Sequence, residues 1–191
     1  MTDLILGSQR LTLRTFKESD LSNVHEMLLR PESTLFNPSS YSEDIEETQK
    51  LIQSWKSESK SEKDREKFTF LVETTLNCTF VGIIAIDLIK LHYKNAEVWY
   101  KLSPEAWGKG YGTEALRRII QFGFEDLNLH RIEAGCAIDN IASYKIMEKC
   151  GMIREAHRRK LLPLKNGWSD NYEYAILEED YFSKLSFGNI L

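Results

Sequence analysis

The chain has 191 residues, 42% hydrophobic and 11% aromatic, enough to bury one good core and a little long for a minimal domain. A net charge of −4 and an isoelectric point near 5.7 argue against the basic face that general affinity for nucleic acid or anionic membrane requires. The three cysteines, Cys78, Cys136 and Cys150, are odd in number and lack zinc-type pairing; with no basic, apolar leader and no run of ~20 apolar residues, a reduced cytoplasmic protein without membrane span is expected.

Leu11-Thr-Leu-Arg-Thr-Phe16 alternates as a half-buried strand does, and Glu18-Ser-Asp20 supplies caps for a helix to about Leu29, stopped by Arg30-Pro31. Ser42-Glu-Asp-Ile45 starts a second helix with Ile45, Thr48, Leu51, Ile52 and Trp55 along one side. The segment Lys56 to Lys67 mixes charges of both signs and reads as a solvated helix end or loop. Two apolar runs, Phe68–Val72 and Phe80–Ile86, flank Thr-Thr-Leu-Asn-Cys and predict an antiparallel hairpin. A further strand, Ala96–Leu102, ends at Ser103-Pro104.

Trp107-Gly-Lys-Gly-Tyr-Gly-Thr-Glu-Ala115 follows at once, with glycines at alternate positions before a wide apolar helix face running from Ala115 to about Leu127. Gly108, Gly110 and Gly112 lack a Cβ, so they can take positive φ and let an anion approach the main chain, while unpaired N–H groups of the helix point at it. The loop is no P-loop, because Lys109 lies between glycines, and it follows what we count as the fourth strand, not the first strand of a dinucleotide fold. A strand at Arg131–Ile138 completes a strand-helix-strand crossover. Asn140 then caps a short helix, Ala142 to Lys149, closed by Cys150-Gly151, and two last strands are expected near Met152–Leu161 and Tyr172–Leu177. The order is mixed α/β, an α+β mixture with antiparallel strands early and a crossover late.

The sequence resembles the GCN5-related N-acetyltransferase superfamily, in particular its RimJ/RimL-like branch. Leu11-Thr-Leu-Arg14 with Ser19-Asp20-Leu21 is similar to the branch's opening strand and helix, Ala96-Glu97 and Leu102-Ser-Pro104 to its central strand and exit, and Trp107 to Ala115 to its pyrophosphate loop. Asn140-Ile-Ala-Ser143 with Glu148-Lys-Cys-Gly151 resembles the helix that follows. The resemblance implies one domain over residues 1–191, with a core at about 9–178. It also implies a mostly antiparallel twisted sheet of about six to seven strands with about four helices and a splayed central pair. The implied donor is acetyl-coenzyme A and the implied acceptor a primary amine, which attacks the thioester directly in a ternary complex. No metal is implied, and His25, His92, His130 and His157 are scattered without ligand spacing.

By the same resemblance, main-chain N–H groups of Gly108, Lys109, Gly110, Tyr111, Gly112 and Thr113 bind the pyrophosphate, with Lys109 able to reach phosphate oxygens. The superfamily commonly has Gln or Arg where this chain has Trp107, a departure that removes a side chain and leaves the amide cradle. Backbone groups near Tyr100, Lys101 and Leu102 would pair with the pantetheine arm, one N–H facing the thioester oxygen. Glu97 matches a carboxylate that deprotonates the amine, directly or through water; its bland alternative is a solvent-facing strand residue paired with a lysine such as Lys94. Glu133 and Glu73 are weaker candidates. Where relatives carry a tyrosine acid this chain has Met147, which donates nothing, and Ser143, one helical turn earlier, fits the branch's serine at the coenzyme sulfur. Ser143 could instead bond locally, and Asn140 could serve as cap, as pantetheine partner, or as both. Tyr144 reads as packing, as do Met27, Trp55, Trp99 and Phe124.

Arg158-Arg-Lys160 reads either as an anion contact or as a charge-protected edge strand. The resemblance implies as acceptor a protein N-terminus, such as that of a ribosomal protein, or a small-molecule amine; Phe36, Tyr41 and Trp168 could line its pocket, or serve as core or dimer contacts. No nucleic-acid or membrane partner is expected, and the expected assembly is a monomer or homodimer. The reading from another class is a non-catalytic coenzyme A sensor or interaction module, which would need the glycine loop but neither Glu97 nor Ser143.

Overall fold

The structure, a computed structural model, describes residues 4–37, 43–58 and 65–186; Tyr41, Ser42 and most of the charged run after Glu58 lie outside the described residues. Two short strands, β1 (Leu6–Gly7) and β2 (Leu11–Arg14), open the chain. Helix α1 (Leu21–Leu29) stops where Arg30 turns extended at ψ 125°, and Pro31, instead of only ending α1, occupies the first turn of a short helix α2 (Pro31–Thr34). Helix α3 (Ile45–Glu58) begins after Asp44, whose carboxylate accepts from the Glu46 N–H at 2.9 Å. Strands β3 (Lys67–Thr74), β4 (Phe80–Lys90) and β5 (Asn95–Leu102) form the meander that the apolar runs predict.

Helix α4 (Tyr111–Gln121) continues into a π-helical turn at Phe122–Asp126, and β6 (Arg131–Ala137) returns beside β5. Helix α5 (Ile141–Lys149), strands β7 (Ile153–Leu164) and β8 (Gly167–Leu177) and helix α6 (Glu178–Ser186) complete the domain. Among the described residues all eight strands lie in one sheet of order β1-β2-β3-β4-β5-β6-β8-β7. The extra strand beyond the expected number is the two-residue β1, and α2 and α6 are the helices that sequence periodicity did not separate. Among the described residues no helix is long and apolar enough to cross a membrane.

Alternation along the central strands sends side chains into two cores. Phe70, Ile84, Ile86, Ala96 and Val98 pack with Leu116, Ile119 and Ile120 of α4 and Met147 of α5, whereas Leu71 and Ile83 pack with Val24, Met27 and Leu28 of α1 and Ile52 of α3. Helices therefore cover both faces. The sheet is antiparallel except between β5 and β6, which pair in parallel at only Asn95↔Arg131, Ala96↔Ile132 and Glu97↔Glu133. Beyond that point both strands continue, to Leu102 and Ala137, without pairing to each other, so the sheet splays open at its centre.

Candidate active site

The glycine loop bridges the end of β5 and the start of α4, on one side of this opening. Gly108 and Gly110 sit at φ 73° and 78°, where a side chain is strained. A Cβ on Gly108 would enter open space, and one on Gly110 would stand 3.4 Å from Nη2 of Arg10. Gly110 is the N-cap of α4 without a side-chain cap, so the first N–H groups of the helix keep their anion-binding capacity. Gly112 differs from the expectation: it lies inside the helix, outside the positive-φ set, and a Cβ there would come within 2.7 Å of Ile146 Cδ1 and 2.9 Å of Leu102 Cδ1. Its absence of side chain serves the packing of α4 against α5 and β5, and the positive-φ requirement stops at Gly110. Trp107 is half exposed and donates its indole N–H to the Leu102 carbonyl at 3.1 Å.

Sequence reading missed the buttress behind this loop. Arg10, from the β1–β2 turn, donates to Glu114 Oε2 at 2.7 Å and to the Lys109 carbonyl at 3.1 Å, and its guanidinium lies 4.9 Å from the Tyr111 ring centroid. Glu114 also accepts from Ser8 Oγ at 2.8 Å and from the Arg10 N–H at 2.7 Å. Burial opposes ionisation of Glu114, yet these hydrogen bonds hold its carboxyl below the usual range.

On β5, Ala96, Val98, Tyr100 and Leu102 face α4 and α5, so Glu97, Trp99 and Lys101 face the layer of α1 and α3. Glu97 stands directly opposite Asp87 of β4 and Glu133 of β6, in the last pair before the strands part. Glu97 is exposed to the open cleft, and partial desolvation first, then the charges of Asp87, Glu133 and Glu173, push its pKa up. Asp87 takes the Trp99 indole N–H at 3.3 Å, and Glu133 takes Arg131 Nε at 2.5 Å. Among the described residues no ion pair reaches Glu97, from Lys94 or any other cation. Like charges placed opposite each other across strands cost stability, and this cost is borne at the mouth of the opening. Glu73, by contrast, is a buried structural residue, bound at 2.7 Å to the partly buried Arg14, which also pairs with Asp20 at 2.8 Å. Burial pushes Lys101, also at this strand's end, down to about 8.

Across the opening, Asn140 caps α5, its Oδ1 accepting from the Ser143 N–H at 3.2 Å. Ser143 Oγ lies 2.9 Å from the Tyr100 phenol oxygen, a contact between β5 and α5 that no local pattern announces. Tyr144 packs edge-on against Tyr172, with centroids 6.2 Å apart, and Met147 is buried. One continuous cleft of about 1490 Å³ touches the glycine loop, Glu97, Tyr100, Asn140 and Ser143, more than the ~300–1,000 Å³ of ordinary ligand pockets. The cleft has room for a long coenzyme and a second substrate. Phe36 lines it from beyond α2, while Trp168 stands apart beside Lys160 on the β7–β8 hairpin. Arg158 pairs with Glu173 at 2.9 Å on β7, which is the sheet's edge strand.

The glycine loop and the splayed strand pair both lie within residues 10–153, which the profile of the acetyltransferase (GNAT) domain matches. The chain belongs to that family. The N-acetyltransferase YnaD of Bacillus subtilis, itself uncharacterised, is 46% identical over 85 residues, covering 44% of this chain and 50% of that protein. A GNAT-family acetyltransferase of Bacillus anthracis superposes with a TM-score of 0.81 at 30% identity, over 92% of this chain and 99% of the other. Spermidine N-acetyltransferase of Vibrio cholerae, solved with coenzyme A and spermine, shares the fold at a TM-score of 0.80 and 23% identity, over 92% and 99% of the two chains.

Proposed function

We propose that this acetyltransferase acetylates a primary amine by direct attack in a ternary complex, with Glu97 as general base and Ser143 as hydrogen-bond donor to the departing sulfur. The observation that carries the reading is the position of the opening: the sheet parts immediately after Glu97↔Glu133, with Glu97 on one face and the Ser143 hydroxyl on the side of α5. Acetyl-coenzyme A supplies the acetyl group as an activated thioester. The N–H groups from Gly108 to Thr113, with the positive end of α4, bind its pyrophosphate. Main-chain groups of Tyr100, Lys101 and Leu102, past the last β5–β6 pair, hold the pantetheine arm in the manner of a neighbouring strand, and Asn140 lies beside it.

Glu97 draws an acceptor ammonium toward the carboxylate row and takes its proton, directly or through a water. A base so placed is worth typically ~10²–10⁴-fold in rate. The row formed by Asp87, Glu97 and Glu133 favours an acceptor with positive charge, which suits a small polyamine better than a peptide N-terminus flanked by acidic residues. Ser143 then meets the sulfur as the C–S bond breaks.

The test offers acetyl-coenzyme A with polyamines, amino acids and N-terminal peptides while thiol release is followed, for the native protein and Glu97→Gln. Release with at least one cationic amine, lost roughly 10²-fold or more in Glu97→Gln, is the expected result. Coenzyme binding without release by any amine would indicate a coenzyme-sensing module instead.

A further inference from the structure

We propose that Tyr100 is a positioning residue, whose phenol turns the Ser143 hydroxyl so that the serine proton faces the coenzyme sulfur. The inference rests on the reading of Ser143 as the sulfur's donor and adds what makes a serine fit for it. A serine in the first turn of a helix ordinarily folds its hydroxyl back onto local main-chain groups. Such a hydroxyl has its proton spent inside the protein.

In this structure Ser143 is held from three sides. Its N–H is taken by Asn140, through Oδ1 at 3.2 Å and the carbonyl at 3.0 Å. Its own carbonyl accepts from the Tyr100 phenol at 3.1 Å, and its Oγ lies 2.9 Å from the same phenol oxygen. The main chain is thereby fixed, and the hydroxyl rotor remains to be set. A phenol has one proton to give. Burial pushes the Tyr100 pKa up, so the phenol stays protonated, and in the proposed arrangement its single proton is shared between the Ser143 carbonyl and the Ser143 Oγ. An oxygen that accepts from the phenol keeps its own proton for a third partner.

Cys136 of β6 lines the same cleft as Ser143 and Tyr100. The titratable groups whose charges bear on this trio are Cys136 itself, Cys150 at the end of α5, and Glu148, which acts on Cys136. The residue one turn beyond Ser143, Met147, is buried and has no donor, so the aromatic hydroxyl comes from β5 instead. When the C–S bond breaks, the sulfur keeps the electron pair as a thiolate that accepts a hydrogen bond from the Ser143 hydroxyl, and it takes its proton from solvent. The proton lost by nitrogen leaves through Glu97, and Tyr100 keeps its own throughout.

The experiment is a double-mutant cycle of Tyr100→Phe and Ser143→Ala, read in kcat, in KM for acetyl-coenzyme A, and in the ionisation of bound coenzyme A followed by thiolate absorbance. Tyr100→Phe should lower kcat about tenfold, with KM little changed, and raise the apparent pKa of the bound thiol by about one pH unit, since one unit corresponds to a tenfold change. In the Ser143→Ala background the same substitution should change neither quantity further. Equal losses in both backgrounds, or an unmoved thiol pKa, would overturn the role of Tyr100. Full turnover in Ser143→Ala would sink the Ser143 reading and Tyr100 with it, whereas a slow Ser143→Ala beside a normal Tyr100→Phe would remove Tyr100 alone. A ring-fluorinated tyrosine at position 100 keeps the shape and makes the phenol more acidic. It should add an alkaline decline in kcat, because a phenolate pulls the serine proton back, and an unchanged alkaline limb would count against the proposal.

Discussion

Gly110→Ala and Gly112→Ala, two positions apart, should fail in different ways. Gly110 sits at φ 78° with only Arg10 Nη2 near its virtual Cβ, at 3.4 Å. An alanine there costs about 1–2 kcal/mol in left-handed strain, or roughly 2–8 °C in melting temperature for a domain of this size. Its methyl also intrudes on the mouth of α4. The anion contact at a helix N-terminus is worth up to ~2 kcal/mol, so coenzyme affinity should fall about five- to thirtyfold. At Gly112 the virtual Cβ meets Ile146 Cδ1 at 2.7 Å and Leu102 Cδ1 at 2.9 Å. Overpacking of this kind costs typically ~1–3 kcal/mol, roughly 2–12 °C, while the phosphate side of the loop is untouched. Calorimetric titration with coenzyme A, beside a thermal melt of the unliganded protein, separates the two. Native affinity in Gly110→Ala, or an equal loss of affinity in Gly112→Ala, would refute the division of labour drawn from their geometry.

Because partial desolvation and then the charges of Asp87, Glu133 and Glu173 raise the pKa of the exposed Glu97, the base is lost as pH falls through a value above its ordinary one, and the acid limb of kcat/KM should shift upward accordingly. Asp87→Asn removes one neighbouring charge and should move that limb to lower pH; a pH–rate profile that stays in place would argue against Glu97 as the titrating base. Arg14→Leu would leave Asp20 and Glu73 buried without their cation, with side chains 7% and 11% exposed. The loss should be ~3–5 kcal/mol, read by denaturant titration. Burial opposes ionisation of Asp20, but Arg14 and the Lys17 N–H hold its pKa below the ordinary value. Its contribution is therefore complete above about pH 4, its unfolded pKa, and is lost as pH falls through the lowered folded value, a dependence the variant should lack.

What the sequence made legible was what repeats locally. The apolar runs of β3, β4 and β5 and the stripe of α4 are set by periodicity, and the glycine loop by residue type, so each is readable in place. Strand β7 extends past the expected end because nearly all its residues are exposed and leave no alternation to read; the hairpin turns at Lys165-Asn166, ahead of Gly167 at φ 117°. Glu97 could be named from a motif, but its setting between Asp87 and Glu133 depends on strand register. Contacts of Tyr100 with Ser143 and of Arg10 with Glu114 join residues 43 and 104 positions apart. Nothing in the local pattern of either segment carries them.

The parting of β5 from β6 has a mechanical side. With only three residue pairs joining them, strands β1 to β5 and β6 to β8 form two wings sewn along a short seam, with α4 and α5 as the stitching beside it. An extended ligand that hydrogen-bonds within the gap acts as a rivet. The work needed to pry the wings apart then rises by the free energy of that ligand's binding, so grip on the donor and stiffness of the enzyme are one quantity measured in two ways.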